Sequence, residues 1–171
     1  MKRGWYAMND HPTTHRESVA KWISVLHRQF QMYLNRELKP YGIRSSEYIY
    51  LVNLYDRDGV SQETLSRSLY INKAATARAI GRLEKLGLVR RTRDAADARA
   101  YVVTLTPEGL KLKDVIQEKL RRWRETLEEG LTEEECEFML RTIKRMSANA
   151  LALVEAARNE TDAEGGAEDE G

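Results

Sequence analysis

Nine cations fall between Ser61 and Thr106 (Arg67, Lys73, Arg78, Arg82, Lys85, Arg90, Arg91, Arg93 and Arg99), against four acids (Glu63, Glu84, Asp94 and Asp97). The segment therefore carries +5 in a 171-residue chain whose formal net charge is only +1. Guanidinium and ammonium groups donate hydrogen bonds and accept none, so an ordered set of them suits an anionic, acceptor-rich surface. Phosphate oxygens form one such surface. The O6 and N7 edge of guanine, which a single Arg engages with two hydrogen bonds, is another. A lone exposed cation is usually solvated surface, whereas a set repeated on consecutive elements points to binding.

The elements that must position these groups are short. Ser61 is placed to cap a helix reaching about Leu69, and Asn72 to cap a second helix that Gly87 ends in a left-handed turn. Ile80, Leu83 and Leu86 supply the inward face of the second helix, and Lys73, Thr76, Arg78 and Arg82 its outward face. Residues 88–93 and 100–105 alternate as strands around the polar tip 94–99, a hairpin that forms a wing. A polar-capped helix can enter a major groove by its first turns, while a basic hairpin beside it reaches the minor groove or the phosphates. Ser61 and Gln62 at the first helix start, and Asn72, Lys73, Ala74, Thr76, Arg78 and Arg82 on the second helix, are thus the expected duplex contacts. Arg90, Arg91 and Arg93 are expected to neutralise phosphate or support the wing, and Asp97 to accept from Arg99 or Arg93 at its tip. Glu84 and Lys85 read as helix-supporting surface, Leu83 and Leu86 as core.

Longer helices flank this module. Thr14 and Glu17 form a capping box, followed by Val19, Trp22, Ile23, Leu26, Phe30, Tyr33, Leu34 and Leu38 at helical spacing up to Pro40. A helix over 14–39 would be about 39 Å long. A second helix is expected over 45–57, stopped by Asp58-Gly59. After the wing, Thr106-Pro107 opens a fifth helix through Leu112, Ile116, Leu120, Trp123 and Leu127 to Gly130. Thr132 and Glu135 then open a sixth along Cys136, Met139, Ile143, Met146, Ala150, Leu153 and Ala157. The long helices have too little core of their own, and intertwining two copies covers their apolar stripes. The fold class expected is mainly α with a small β wing, a winged helix-turn-helix in a six-helix homodimer. Its parts are an N-terminal extension (1–13), a helical dimerisation region (14–40 and 107–157), the DNA-binding region (41–106) and an acidic tail without structure (158–171).

In order and spacing, GIRSSEYIYLVNLY, DGVSQETLSRSL, INKAATARAIGRLEKLGLVRR and DAADARAYVVTLTPEG resemble the MarR family (multiple-antibiotic-resistance regulators), over about residues 14–157. The resemblance implies a homodimer joined through the first, fifth and sixth helices, with a recognition helix over 72–86. It also implies binding to a double-stranded, palindromic DNA operator, and repression relieved by a ligand or oxidant. Lys73 and Arg78 fall at recognition-helix positions similar to the family's DNA contacts, and Asp97 and Arg99 match its wing D-x-R. The chain departs from the pattern at Ala98, where many members carry a basic residue, and at Ala74 and Ala75, where small hydroxyl residues or glycine are common. The resemblance also suggests a crevice for a small aromatic or anionic effector near Trp22, His27, Phe30, Tyr41 and Tyr48, although aromatics at helical spacing are more often core.

Other chemistries are less well supported. Asp56, Asp58 and Glu63 lie together, but turn formation and the helix dipole account for acids there, and no nucleophile, phosphate loop or metal set accompanies them. The expectation is a protein that is not an enzyme and has no cofactor. A winged helix used only for protein contact is the competing reading, and the local +5 charge disfavours it. Cys136 alone makes no internal disulfide and falls on an apolar stripe, which favours a buried, inert thiol. His11, His15 and His27 show no compact ligand spacing with it, so no metal site is expected. No run is long enough to cross a bilayer and MKRGWYAMNDHP lacks an apolar signal core, so a cytoplasmic protein with no membrane partner is expected.

Overall fold

The computed structural model describes residues 19–94 and 100–167, with side chains through Ala156. Among the described residues the order is α1 (Val19–Leu38), a 3-10 turn (Lys39–Tyr41), α2 (Tyr48–Asp56), β1 (Val60–Ser61), α3 (Gln62–Ser68), α4 (Lys73–Lys85), β2 (Val89–Arg93), β3 (Tyr101–Leu105), α5 (Pro107–Lys111), α6 (Lys113–Glu128) and α7 (Glu133–Ala167). The chain divides into two compact units, Met1–Trp123 and Arg124–Gly171. Mainly helical architecture with a small wing is the expected class. No helix among the described residues is long and apolar enough to cross a membrane.

The core of the first unit gathers one apolar face from each element: Leu34 and Leu38 of α1, Tyr50, Leu51 and Leu54 of α2, Leu65 of α3, Ile80 and Leu83 of α4, Val89, Val103, and Ile116 of α6. Burying these side chains is what fixes the orientation of α3 and α4, helices too short to be stable alone. The sheet is antiparallel in the order β1-β3-β2. Val103 sits at its centre, opposite Val60 on one side and Arg91 on the other. A two-residue β1 has no alternation of its own to read, which is why sequence pattern yields only the hairpin.

Several boundaries differ from expectation for local reasons. α2 starts at Tyr48 rather than Ser45, because Ser45 is tied back to α1: its N–H donates to Asn35 Oδ1 (2.9 Å) and its hydroxyl to Gln31 Oε1 (2.6 Å). The single fifth helix is two, α5 and α6. At Leu112 the N–H donates to the carbonyl three residues back, on Gly109 (3.3 Å), before ordinary helical bonding resumes at Ile116. Leu86, expected in the core, is 39% exposed and lies over Gly42, where an added Cβ would come within 3.1 Å of its Cδ2. The Thr132–Glu135 capping box forms, with Thr132 N–H donating to Glu135 Oε2 (2.8 Å) and Glu135 N–H to Thr132 Oγ1 (3.3 Å). α7 then continues to Ala167, past the start of the acidic tail, since no Gly or Pro interrupts it before Gly165. The Thr14–Glu17 box, the wing tip with Asp97 and Arg99, and residues 168–171 lie outside the described residues.

Candidate nucleic-acid interface

α3, a tight turn and α4 form a helix-turn-helix whose two starts are both capped by side chains. Ser61 Oγ accepts from Thr64 N–H (3.0 Å) and Asn72 Oδ1 from Ala75 N–H (2.8 Å), so each cap satisfies a donor that the helix leaves open. Tyr70, in the turn, has φ +54°, a left-handed conformation usually given to Gly or Asn. α4 is amphipathic: Thr76, Ile80 and Leu83 face the core at four- and three-residue spacing. Lys73, Ala74, Arg78 and Lys85 are exposed. Thr76 therefore does not belong to the outward face. Its hydroxyl accepts from Tyr50 Oη (3.3 Å) in the interior, and the four-residue step to Ile80 is the signal that places it there.

Ion pairs then divide the cations into two kinds. Arg82 is engaged within the fold: its Nε bonds Glu47 Oε1 on a carboxylate only 2% exposed, and its Nη2 donates to Gly42 O (3.2 Å). Glu47 also accepts from Arg44 N–H through Oε2 (3.0 Å), so both of its oxygens are occupied, as burial of a carboxylate requires. Arg91 is engaged with Glu84. Its N–H donates to Oε1 (3.2 Å) and its guanidinium to Oε2 from Nε (2.9 Å) and Nη2 (2.6 Å), which holds the Glu84 carboxyl below the usual carboxylate range. The Glu47–Arg82 pair thus fastens α4 to the start of α2, and the Glu84–Arg91 pair fastens it to the wing strand β2. Glu47 is the residue that pattern reasoning passes over, because a Glu within SSEYIY looks like surface until Arg82 is brought to it.

The other cations lie outside these two pairs. Arg78, Lys85, Arg90 and Arg44 have no acid partner among the described residues. Lys73 and Arg67 share Glu63, at 3.0 and 3.3 Å. On the wing, the Arg91 and Arg93 guanidinium carbons each lie 5.7 Å from the ring centroid of Tyr101. Gln62 is half-buried at the start of α3, with Oε1 unpaired. Of the three clustered acids, Asp58 accepts from Leu105 N–H (2.9 Å), fastening the turn before β1 to the end of β3, and Glu63 is the shared partner just described.

A cleft of about 900 Å³ opens between the middle of α1, the start of α2 and the outer face of α4. His27, Phe30 and Tyr48 line it, together with Arg44, Arg78, Arg82 and Lys85. Phe30 and Tyr48 meet edge to face at 5.7 Å. Trp22 and Tyr41, also expected there, do not line it. Trp22 lies five residues before His27, about 140° round α1 at about 100° per residue, and Tyr41 belongs to the 3-10 turn.

A three-helix core with an antiparallel wing and an exposed, N-capped second helix defines a winged helix-turn-helix. A model of the MarR family matches residues 41–100, from the turn after α1 to the foot of β3. A solved MarR transcriptional regulator from Methanosarcina mazei Go1 superposes with a TM-score of 0.75 at 37% identity, covering 81% of this chain and 99% of that one. The regulator BilQ of Clostridioides difficile strain CD3, of the helix-turn-helix type, is 25% identical over 127 residues, 74% of this chain and 86% of its own. MepR of S. aureus, solved with DNA, has the same fold (TM-score 0.73, 23% identity, 78% of this chain and 99% of that one). The chain belongs to the MarR family of transcriptional regulators.

Proposed function

We propose that this MarR-family transcriptional regulator binds a two-fold-symmetric DNA operator as a homodimer, acts in the cytoplasm as a repressor, and is released by a small aromatic or anionic effector. The observation that carries the reading is α4: one face is held by the core and two ion pairs, while Lys73 stands exposed at its capped N-terminus and Arg78 on the outer face one turn further on. Arg78 donates to a guanine edge and Arg90 meets phosphate. Arg91 and Arg93 hold the wing, and Asp97 and Arg99, outside the described residues, are further proposed DNA contacts. Ser61 and Asn72 act as caps that aim the two helix starts, with Gln62 beside the first and Ala74 leaving room for backbone or base to approach the second.

The effector reading rests on the cleft, where two aromatic faces stand beside cations that outnumber the one carboxylate, itself paired with Arg82. His27, Phe30 and Tyr48 are its proposed contacts. The second copy rests on the apolar residues exposed on α1 (Val19, Trp22, Ile23 and Leu26) and on α7 (Phe138, Ile143 and Leu153). A binding protein rather than an enzyme is consistent with relatives that are transcriptional regulators.

The test is selection of bound duplexes from a random pool, followed by binding with and without aromatic carboxylic acids. Recovery of a palindromic consensus whose complex dissociates with one of those acids is expected. Recovery of no consensus would remove the DNA-reading role.

A further inference from the structure

Glu63 stands in the first turn of α3, where an acid favours the helix dipole, yet its carboxylate reaches across the turn to the recognition helix. Its Oε1 lies 3.0 Å from Lys73 Nζ, on the first residue of α4, and 3.3 Å from Arg67 Nη2. All three side chains are open to water, at 50%, 77% and 81% exposure for Glu63, Lys73 and Arg67. Exposed pairs of this kind add little to stability, so the helix dipole explains an acid at this position but not why its carboxylate is set against two cations that phosphates must approach.

We propose that Glu63 is a specificity-determining residue, which cancels the attraction of Lys73 and Arg67 for phosphate at random sequence while leaving Lys73 able to read a base in the operator. The inference rests on the reading of α4 as the helix that enters the groove. Binding to random duplex is driven by cations replacing condensed counterions, and a carboxylate 3 Å from the ammonium removes most of that gain and repels phosphate as well. In the operator the balance differs. An ammonium has three donors, so Lys73 keeps one on Glu63 and directs another to guanine O6 or N7, and the pair enters the groove as a unit. The acid thus penalises the wrong complex more than the right one.

The experiment measures Glu63→Gln, Lys73→Gln and the double variant on the selected operator and on a scrambled duplex across a salt series. Glu63→Gln is expected to raise scrambled-duplex affinity several-fold and to steepen its salt slope by about 0.9 per protomer, the value for one added phosphate contact. Operator affinity should change by less than the scrambled value, so the ratio of the two falls. In the Lys73→Gln background the same change should have a smaller effect. An equal rise on both duplexes, or no rise on the scrambled one, overturns the proposal. Failure of the underlying reading looks different: Lys73→Gln alone would then leave both affinities and both salt slopes unchanged.

Discussion

At the scale of single residues, Arg78 and Arg91 differ in what each already holds. Arg78 has no acid partner among the described residues, so Arg78→Ala should cost about 1–3 kcal/mol on the operator and relax preference at one position per half-site. Affinity for scrambled duplex should fall less, and titrations of both duplexes check it. Arg91→Ala removes the partner of Glu84 and one guanidinium from Tyr101, so it should lower the thermal midpoint and weaken every duplex alike. Glu84 also gives a pH signature. Its folded carboxyl is held below its ordinary value of 4.5, so its contribution is complete above that value and is lost as pH falls through the folded one. Urea midpoints in acid should therefore decline less steeply for Glu84→Gln than for the wild type. Cys136 is half-buried rather than fully enclosed; burial first, then Glu128, Glu135 and Glu133, push its thiol pKa up, which disfavours the thiolate. Cys136→Ser should leave operator affinity and its response to peroxide unaltered, a comparison that a peroxide-sensitive wild type with an insensitive variant would decide the other way.

At the scale of elements, the passage from wing to α5 is the tightest joint in the first unit. Gly109 is buried, and a Cβ there would meet Leu88 O at 2.0 Å, a backbone atom that cannot move aside. Thr106 Oγ1 accepts from Gly109 N–H (3.0 Å) and donates to Gly87 O (2.6 Å), and Tyr55 Oη donates to Gly109 O (2.9 Å). Gly109→Ala should cost about 3 kcal/mol, at or beyond the upper end for overpacking, measured by chemical denaturation. Burial pushes the Tyr55 hydroxyl up to about 12, so the stability linked to it is whole below the usual tyrosine value of 10 and is lost as pH rises towards 12. Tyr55→Phe should soften that alkaline decline while lowering stability at neutral pH through the lost hydrogen bond. The capped starts of α3 and α4 and the Thr106-Pro107 cap were legible because each is fixed by residues three positions apart, and the wing strands because their own alternation marks them. What was not legible depends on chain segments meeting. β1 exists only through its pairing with Val103, and Glu47 is buried only because Arg82 arrives 35 residues later; the inward turn of Thr76, by contrast, was signalled by its four-residue step to Ile80. Of the aromatics suggested by the resemblance, those on the His27 face of α1 and at the start of α2 reach the cleft.

At the scale of the whole molecule, the apolar residues exposed on α1 and α7 would leave large hydrophobic patches on an isolated chain. Sedimentation at micromolar concentration should show a dimer as the dominant species. A well-folded monomer there would remove the two-fold operator geometry along with the dimer. In the proposed dimer two α4 helices would meet one duplex, with half-site centres expected about 34–36 Å apart, one helical turn. Inserting half a turn between half-sites should abolish tight binding while leaving each half-site sequence intact, a result readable by footprinting.

The sparse outer face of α4 sets how much a single copy can say about sequence. Over its first two turns the long polar side chains are Lys73 and Arg78, and the rest of that stretch is Ala74, Ala75, Ala77, Ala79 and the inward Thr76. A reader with so few letters per half-site has a small alphabet, and many words in a genome satisfy it. Meaning must then come from grammar: the interval and orientation between two short words, imposed by the pairing of copies. Degenerate half-sites at the correct interval should outrank perfect ones at the wrong interval, and the targets of this regulator should look alike in their spacing more than in their spelling.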